Sequence, residues 1–190
     1  MHIHIRQKLL IYAICFSLIL ALQSCKTQRG DPLKYRHAPF TADISGVIST
    51  EEGHGLEFKA TVEFFGESGV ENREFCLVYH SPAAISGISV RRYNDSRITV
   101  SLGEIEQSLP NGESILGFIK TAEMLDPSEE ILGISSISGS SVGLERFQNL
   151  TVVETQSCRL YFDPQGIYPI KAEYSDGGLF ILLDEISFRT

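Results

Sequence analysis

The sequence predicts an α+β fold that is mostly β, an antiparallel sheet with one packed helix. Three observations lead to this prediction. Apolar and polar residues alternate from Phe40 onward, turn-forming residues separate the alternating stretches, and one later segment alone has convincing helical periodicity. Strand follows strand through short connections, which favours a meander of antiparallel neighbours.

Length and composition restrict the classes of function. The chain has 190 residues, the size of one domain, and 43% of them are hydrophobic, which excludes an intrinsically disordered protein. Sixteen basic residues stand against 24 acidic ones, a formal net charge of −8, and no basic stripe is present. We therefore expect no nucleic acid partner, because nothing here could neutralise a run of phosphates.

Residues 1–24 have the pattern of a signal peptide. Two basic residues precede an apolar run of 14 residues, Leu9–Leu22, which is typical of a signal peptide core and short for a membrane span. The run ends at Leu22-Gln23-Ser24-Cys25, which resembles the lipobox of bacterial lipoproteins, although glutamine replaces the usual small residue. A lipoprotein signal peptide is the prediction; an ordinary cleaved signal and an uncleaved anchor helix are the alternatives.

The lipobox implies a lipid anchor on Cys25. A diacylglyceryl group on its thiol and an acyl group such as palmitate on its freed amine would supply the chains that stable anchoring needs. Residues 25–39 lack helical periodicity and are predicted to form a lipid-anchored tether. Without residues 1–24 the chain has 14 basic and 24 acidic residues, a formal charge of −10, so the lipid must hold it at the membrane. The predicted location is the extracytoplasmic side of the cell membrane.

Residues 40–190 are expected to form a single β domain that begins with five strands. The clearest is Leu56–Phe64, where apolar and polar residues alternate without an error over nine positions. The five predicted strands are Phe40–Ser49, Leu56–Phe64, Phe75–His80, Ile88–Tyr93 and Arg97–Leu102.

The rest of the domain is predicted to contain the helix and three further strands. Glu113–Leu125 places apolar residues on one helical face, and Asp126-Pro127 follows as a stop signal. The Ser- and Gly-rich stretch Ile131–Gly143 is predicted to be a mobile loop or the edge of a lid. The three strands are Thr151–Phe162, Tyr168–Tyr174 and Leu179–Phe188. The last is apolar on both faces, so either a second protein layer or a ligand should cover each side.

Two cysteines remain in the predicted domain, Cys76 and Cys158. The alternation places Cys158 on the face of Leu160 and Phe162, whereas Cys76 lies opposite to its neighbour Phe75. If these aromatic residues mark the core, the two thiols point in different directions, so free thiols are expected and a disulfide between them is the alternative. Neither thiol has a second ligand at zinc-like spacing, so no metal site is predicted.

No catalytic residue and no cofactor are predicted. Gly139–Gly143 matches the G-x-S-x-G pattern of a nucleophile elbow, but no buried strand precedes it and no clear helix follows it. His37, His54 and His80 have no partner at the spacing of a metal site or a triad. This pattern favours a protein that is not an enzyme; an anchored hydrolase is the third alternative.

Two stretches resemble the lipoprotein carrier and receptor superfamily, LolA and LolB. Phe75–Pro82 with Ile85–Val90 is similar to that family's strand, proline turn and leucine-x-glycine-isoleucine strand. Tyr161–Tyr174 is similar to its late hairpin, where an aspartate-initiated turn leads into proline-hydrophobic-lysine. The resemblance extends over most of Phe40–Phe188, and the spore germination lipoproteins of clostridia are the nearest relatives that it suggests. The long first helix of the carriers has no counterpart in Lys26–Pro39.

The resemblance implies a curved, half-open barrel around an apolar cavity that a lid helix closes. Acyl chains occupy that cavity in the carriers. The candidate cavity or lid residues are Ile115, Leu116, Phe118, Ile119, Leu125, Phe58, Val62 and Leu183.

Two function classes follow from the sequence. The first is a membrane-anchored lipoprotein of LolA-like fold that binds or supports an envelope protein partner, with spore germination as the role that the relatives suggest. The second is a carrier or receptor of lipid or acylated hydrophobic ligands. The missing first helix favours the protein partner.

Overall fold

The sheet is the main feature of the computed structural model, which describes residues 32–49, 55–66, 73–109, 116–127 and 129–188. In these segments eleven strands form one open antiparallel sheet, accompanied by one short α-helix. The mostly β fold class is therefore confirmed. The strands are β1 (Phe40–Ser49), β2 (Gly55–Phe64), β3 (Phe75–Ser81), β4 (Ile88–Arg92), β5 (Ile98–Leu102), β6 (Ile105–Leu109), β7 (Gly133–Ile137), β8 (Leu150–Glu154), β9 (Cys158–Phe162), β10 (Pro169–Tyr174) and β11 (Leu179–Phe188), and the helix is α1 (Leu116–Glu123).

The strand order shows how two meanders combine. It runs β6-β5-β4-β3-β2-β1-β11-β10-β9-β8-β7, so the first strand pairs with the last in the middle of the sheet. Phe40 at the start of β1 lies opposite Phe64 of β2 and Phe188 of β11. Strands β6 and β7 form the two edges.

The described residues form eleven strands where the sequence predicts eight. The predicted strand Thr151–Phe162 is a hairpin, β8 and β9, because the Thr155 amide donates to Cys158 O at 2.9 Å and closes a turn without Gly or Pro. The stretch Ile131–Gly143 is not a loop: it contains β7 and a 3₁₀ turn at Gly139–Val142. Strand β6 follows β5 through a two-residue turn and was not predicted.

The front face of the sheet, defined as the face that bears Phe58 and Val62, carries the main core. Aromatic rings dominate it: the Phe40 and Phe64 rings stack with centroids 4.7 Å apart, and the Phe58 ring meets the Tyr79 ring edge-on at 5.5 Å. Helix α1 covers this face, where the Phe118 ring contacts the Tyr79 ring with centroids 5.0 Å apart.

The opposite, back face carries a second and smaller core. Residues between β7 and β8 fold over it, so that Leu144 packs with Val152 and Tyr161, and Leu182 of β11 joins them. On the front face the neighbouring Ile181 is fully buried in the main core. Protein therefore covers both sides of part of β11, with Ile181 in the front core and Leu182 against the back one.

The segment just before β1 belongs to the domain, which corrects the predicted tether. Leu33 is fully buried and Tyr35 is nearly so, and both pack in the main core around a 3₁₀ turn at Lys34–His37. The compact unit begins at Leu33. The predicted signal peptide, Cys25 and the first part of the tether lie outside the described residues. Within the described segments, no helix has the length and apolar character to cross a membrane.

Candidate functional site

The candidate cavity residues lie together in the front core. Val62 and Leu125 are fully buried, and Phe58, Leu183 and Ile119 are at most 6% exposed. Phe118 packs against the same cluster and is partly buried. Ile115 lies outside the described residues, and the side chain of Leu116, at the start of α1, is not described either. The front face is thus occupied by the protein's own side chains.

A buried arginine fastens the end of α1 to the sheet. The Arg73 side chain is 3% exposed and forms an ion pair with Asp126, just after α1, at 3.3 Å. Its guanidinium also lies over the Phe40 and Phe64 rings, 5.5 and 5.2 Å from their centroids. The same group donates to four carbonyl oxygens, those of Arg36 (2.7 Å), Ala38 (2.7 Å), Gly66 (2.9 Å) and Phe65 (3.2 Å).

The 3₁₀ turn before β1 reinforces this attachment. The Tyr35 hydroxyl donates to Leu125 O at 2.5 Å, and Arg36 donates to Pro127 O. Burial raises the pKa of Tyr35 well above its ordinary value, so the hydroxyl stays a donor. The C-terminal end of α1 is therefore held by contacts from two sides. Such contacts are typical of a core helix and not of a lid that opens.

One polar atom of the front core lacks a partner among the described residues. The Tyr79 hydroxyl is fully buried beneath α1 and accepts or donates no hydrogen bond there. The nearby Thr121 hydroxyl donates to Gly117 O at 3.0 Å. Burial raises the pKa of Tyr79 well above its ordinary value. A buried hydroxyl without a hydrogen bond costs about 1 to 3 kcal/mol.

The back face carries an open groove of about 410 Å³. It lies beside the second core, over β1, β2 and β11, where the residues between β7 and β8 no longer cover the sheet. The alternation of these strands turns apolar side chains, two charged groups and two hydroxyls toward it. The groove is lined by Ser45, Gly46, Val47, Glu57, Phe58, Lys59, Ser81, Pro82, Phe180 and Leu182. Phe58 contributes to this lining although its ring packs in the front core.

Phe180 on the wall of the groove is held by a lysine. The Lys171 ammonium lies 5.5 Å from the centroid of the Phe180 ring and 5.3 Å from that of Tyr161, and it is 3.8 Å from the Glu173 carboxylate. The Tyr161 hydroxyl donates to Glu173 at 2.8 Å. Burial, with this hydrogen bond as the next cause, raises the pKa of Tyr161 to about 12. The wall is therefore preorganised by charge and ring contacts.

Beyond the groove, three polar side chains from three strands meet on the back face. Thr61 Oγ1 lies 2.6 Å from Asp43 Oδ1 and 2.8 Å from His80 Nε2. The carboxylate can only accept, so the threonine proton points to Asp43 and His80 Nε2–H donates to the hydroxyl. A triad needs the histidine between the carboxylate and the hydroxyl, with the imidazole accepting the proton. Here the hydroxyl lies in the middle, and the arrangement does not activate it.

The other sequence candidates fall outside this groove. The serine of the G-x-S-x-G match, Ser141, lies in an exposed 3₁₀ turn and donates to Ser138 O at 2.6 Å. Cys76 and Cys158 are free cysteines, which leaves the alternative of a disulfide without support. Cys158 is buried in the front core, and Cys76 is half-buried. The described residues contain no cluster of His, Cys, Asp and Glu that could hold a metal ion.

Sequence reasoning missed both the groove and the polar cluster. Asp43 and Thr61 are 18 residues apart, and Thr61 and His80 are 19 apart, so no local spacing marks them. The only available signal was the alternation of β1 and β2, which places Asp43, Ser45, Lys59 and Thr61 on one face. The neighbouring strand that completes each contact is known only from the sheet order.

Comparison with known proteins gives likeness to solved structures alone, since no family model and no curated protein matches the sequence. A DUF1329 family protein from Desulfovibrio piger is 14% identical, with a TM-score of 0.48 over 83% of this chain and 88% of that one. A LolA superfamily protein from Nitrosomonas europaea is 11% identical, with a TM-score of 0.43 over 83% and 89%. A domain from Vibrio parahaemolyticus, described as an outer membrane lipoprotein-sorting protein domain, is 9% identical, with a TM-score of 0.41 over 83% and 89%.

Proposed function

We propose that the protein is a non-enzymatic, membrane-anchored lipoprotein of the cell envelope that binds a protein partner through the groove on its back face. One observation carries this proposal: the front face is filled by side chains and its helix is fastened by Arg73, whereas the back-face groove is open. A carrier needs an empty cavity on the front face, beneath the helix. A module that binds a protein partner needs an accessible site such as the one on the back face.

The lining of the groove indicates what it would accept. Val47, Phe180 and Leu182 offer apolar surface, and a volume of about 410 Å³ suits one or two large apolar side chains. Lys59 forms no ion pair within the described residues, so it is available to an acidic group of the partner. Buried apolar anchors with a polar rim are typical of protein interfaces.

Anchoring through Cys25 would keep the domain close to the membrane. Cys25 precedes Leu33, the first buried residue that the structure describes, by eight positions. Eight extended residues span at most about 30 Å. A partner would therefore be another envelope protein at the same membrane. A role in spore germination stays a prediction from the sequence resemblance.

Substitution of the anchoring residue tests the location. We expect Cys25→Ala to leave the membrane fraction while its domain melts as the parent does, because Leu33 and the following residues need no lipid to pack. Continued membrane retention of the variant would instead indicate an uncleaved anchor helix.

A pair of matched valine variants tests the groove. Val47 and Val78 are both half-buried on the back face, but only Val47 lines the groove. The proteins are extracted in mild detergent and measured by native mass spectrometry. The parent and Val78→Lys should each carry a protein partner, and Val47→Lys should have lost it. A partner retained by Val47→Lys, or a lipid as the sole companion of the parent, would contradict the proposed groove.

The hydroxyl of Tyr79 favours the carrier or receptor as the second candidate function. It is the kind of buried polar atom that the head group of an acylated ligand could satisfy if α1 moved away from the front face. Lipid bound to the extracted parent, and lost in Tyr79→Phe without loss of stability, would support this function over the first.

A further inference from the structure

The two edges of the sheet differ in how they are protected against other strands. Among the described strands, β6 pairs only with β5, and β7 pairs only with β8. Strand β6 carries Glu106 and follows Glu104, and both are exposed. Strand β7 has no charged residue and no proline, and neither has the whole stretch from Ile131 to Leu144. Natural sheets usually block an edge with charges, proline or a bulge.

The uncharged edge is also accessible. Ser135 and Ser136 are exposed, Ile134 is 42% exposed, and Leu132 just before the strand is 69% exposed. The register between β7 and β8 is unbroken over all five residues of β7, so no bulge turns the edge away. The outer backbone groups of β7 are therefore offered to another strand.

The uncharged sequence of β7 can pair with itself, which favours a second copy of this chain as the occupant. The net charge of −8 acts against contact between two copies through charged surfaces. The β7 edge is an uncharged site of approach. Antiparallel pairing of β7 with itself, centred on Ser135, places Ile134 opposite Ser136 and Gly133 opposite Ile137 of the second copy. No like charges meet in this register.

We propose that the protein forms a two-fold dimer in which β7 pairs with β7 of a second copy and continues the sheet. Such a contact uses the same surface on both copies and closes on itself, whereas pairing of β7 with β6 of another copy would propagate into fibres. The glutamates of β6 act against that second mode. The dimer does not depend on the groove or on the lipid anchor, so it can fail or hold independently of the proposed function.

Charge exchange at the two-fold position tests the pairing. Ser135→Glu and Ser135→Lys each place two like charges opposite one another, so each variant alone should dimerise about fivefold or more weakly than the parent. A mixture of the two should restore dimers, now of mixed composition. Analytical ultracentrifugation of the detergent-solubilised full chain measures both effects. Ser108→Glu, on the exposed edge β6, is the matched control and should dimerise as the parent does.

A cysteine at the same position tests the geometry in the membrane. Opposite residues in an antiparallel pair have Cα atoms about 4.5 to 5.5 Å apart, within the range that a disulfide spans. In a Cys76→Ser background, Ser135→Cys should give a covalent dimer on mild oxidation, and Ser108→Cys should not. A parent that sediments as a monomer at every concentration, a mixture that fails to restore dimers, or a Ser135→Cys adduct with a different protein would each overturn the inference.

Discussion

Gly46 and Phe58 lie opposite each other in the β1–β2 pair, and the Phe58 ring occupies the space that a side chain at position 46 would need. A Cβ atom there would come within 2.8 Å of Phe58 Cζ and within 2.5 Å of the backbone oxygen of Phe180. The first contact could relax through ring movement, but the second involves the backbone of β11. Glycine is thus required where the central pair β1–β11 passes beneath an aromatic ring.

The first prediction compares two glycines. We expect Gly46→Ala to lower the free energy of unfolding by about 1 to 3 kcal/mol, because overpacking shifts β11. Gly117→Ala in α1 meets nothing within 4 Å and should raise the same quantity by about 0.4 to 1 kcal/mol. Urea denaturation measures both. If both substitutions changed the free energy of unfolding equally, the contact with Phe180 O would not explain why position 46 is glycine.

The second prediction concerns the buried Arg73. Arg73→Met removes the buried ion pair with Asp126 and the donor of four carbonyl oxygens, so it should cost about 3 to 5 kcal/mol of unfolding free energy. Arg73→Lys should recover little, since one ammonium cannot reach acceptors spread around a planar guanidinium. Arg159, whose ion pair with Glu154 is about half-exposed, is the control, and Arg159→Met should cost at most about 1 kcal/mol.

The third prediction separates a core helix from a lid. Ile119 is a residue of α1 that is only 5% exposed, and contacts of Tyr35 and Arg73 hold the end of this helix in place. We expect Ile119→Asp to lower the melting temperature sharply, because an unpaired carboxylate becomes buried. The conservative Ile119→Val should cost only about 0.5 to 1.5 kcal/mol. A near-normal melting temperature of Ile119→Asp, with loss of a fluorescent fatty acid that the parent binds, would support the carrier instead.

The fourth prediction is a pH dependence at the groove wall. Burial raises the pKa of Tyr161 to about 12 in the folded protein, from near 10 in the unfolded chain. Because the pKa of Tyr161 is higher in the folded protein, its contribution to the free energy of unfolding is complete below about pH 10. This contribution is lost as the pH rises through about 12. Tyr161→Phe should remove this part of the pH dependence of unfolding. An unchanged profile in that variant would assign the dependence to other groups.

The sequence predicted the central strands well because their environment is periodic. Strand β1 and β11 have the predicted bounds, and β2 begins one residue earlier than predicted. Each has one face in the front core, so burial repeats every second residue. The edge strands β6 and β7 were missed for the opposite reason, since Glu106 and Ser135 are exposed on strands with little burial to impose alternation.

Turn chemistry and nonlocal contacts account for the remaining differences. The turn between β8 and β9 closes through the Thr155 side chain and amide, a weaker sequence signal than Gly or Pro. Burial of Leu33 and Tyr35 depends on Arg73, about 40 positions later in the chain, whose carbonyl contacts no local pattern reveals. The groove needs Ser45, Lys59 and Phe180 from three different strands and was equally hidden.

The position of the last strand has a consequence for how the protein is made. Strand β11 lies in the middle of the sheet, between β1 and β10, so six strands on one side and four on the other are joined only through it. A chain that still lacks residues 179–188 would have two half-sheets with exposed apolar edges. Truncation of residues 179–188 should therefore damage folding as much as deletion of a far longer segment would.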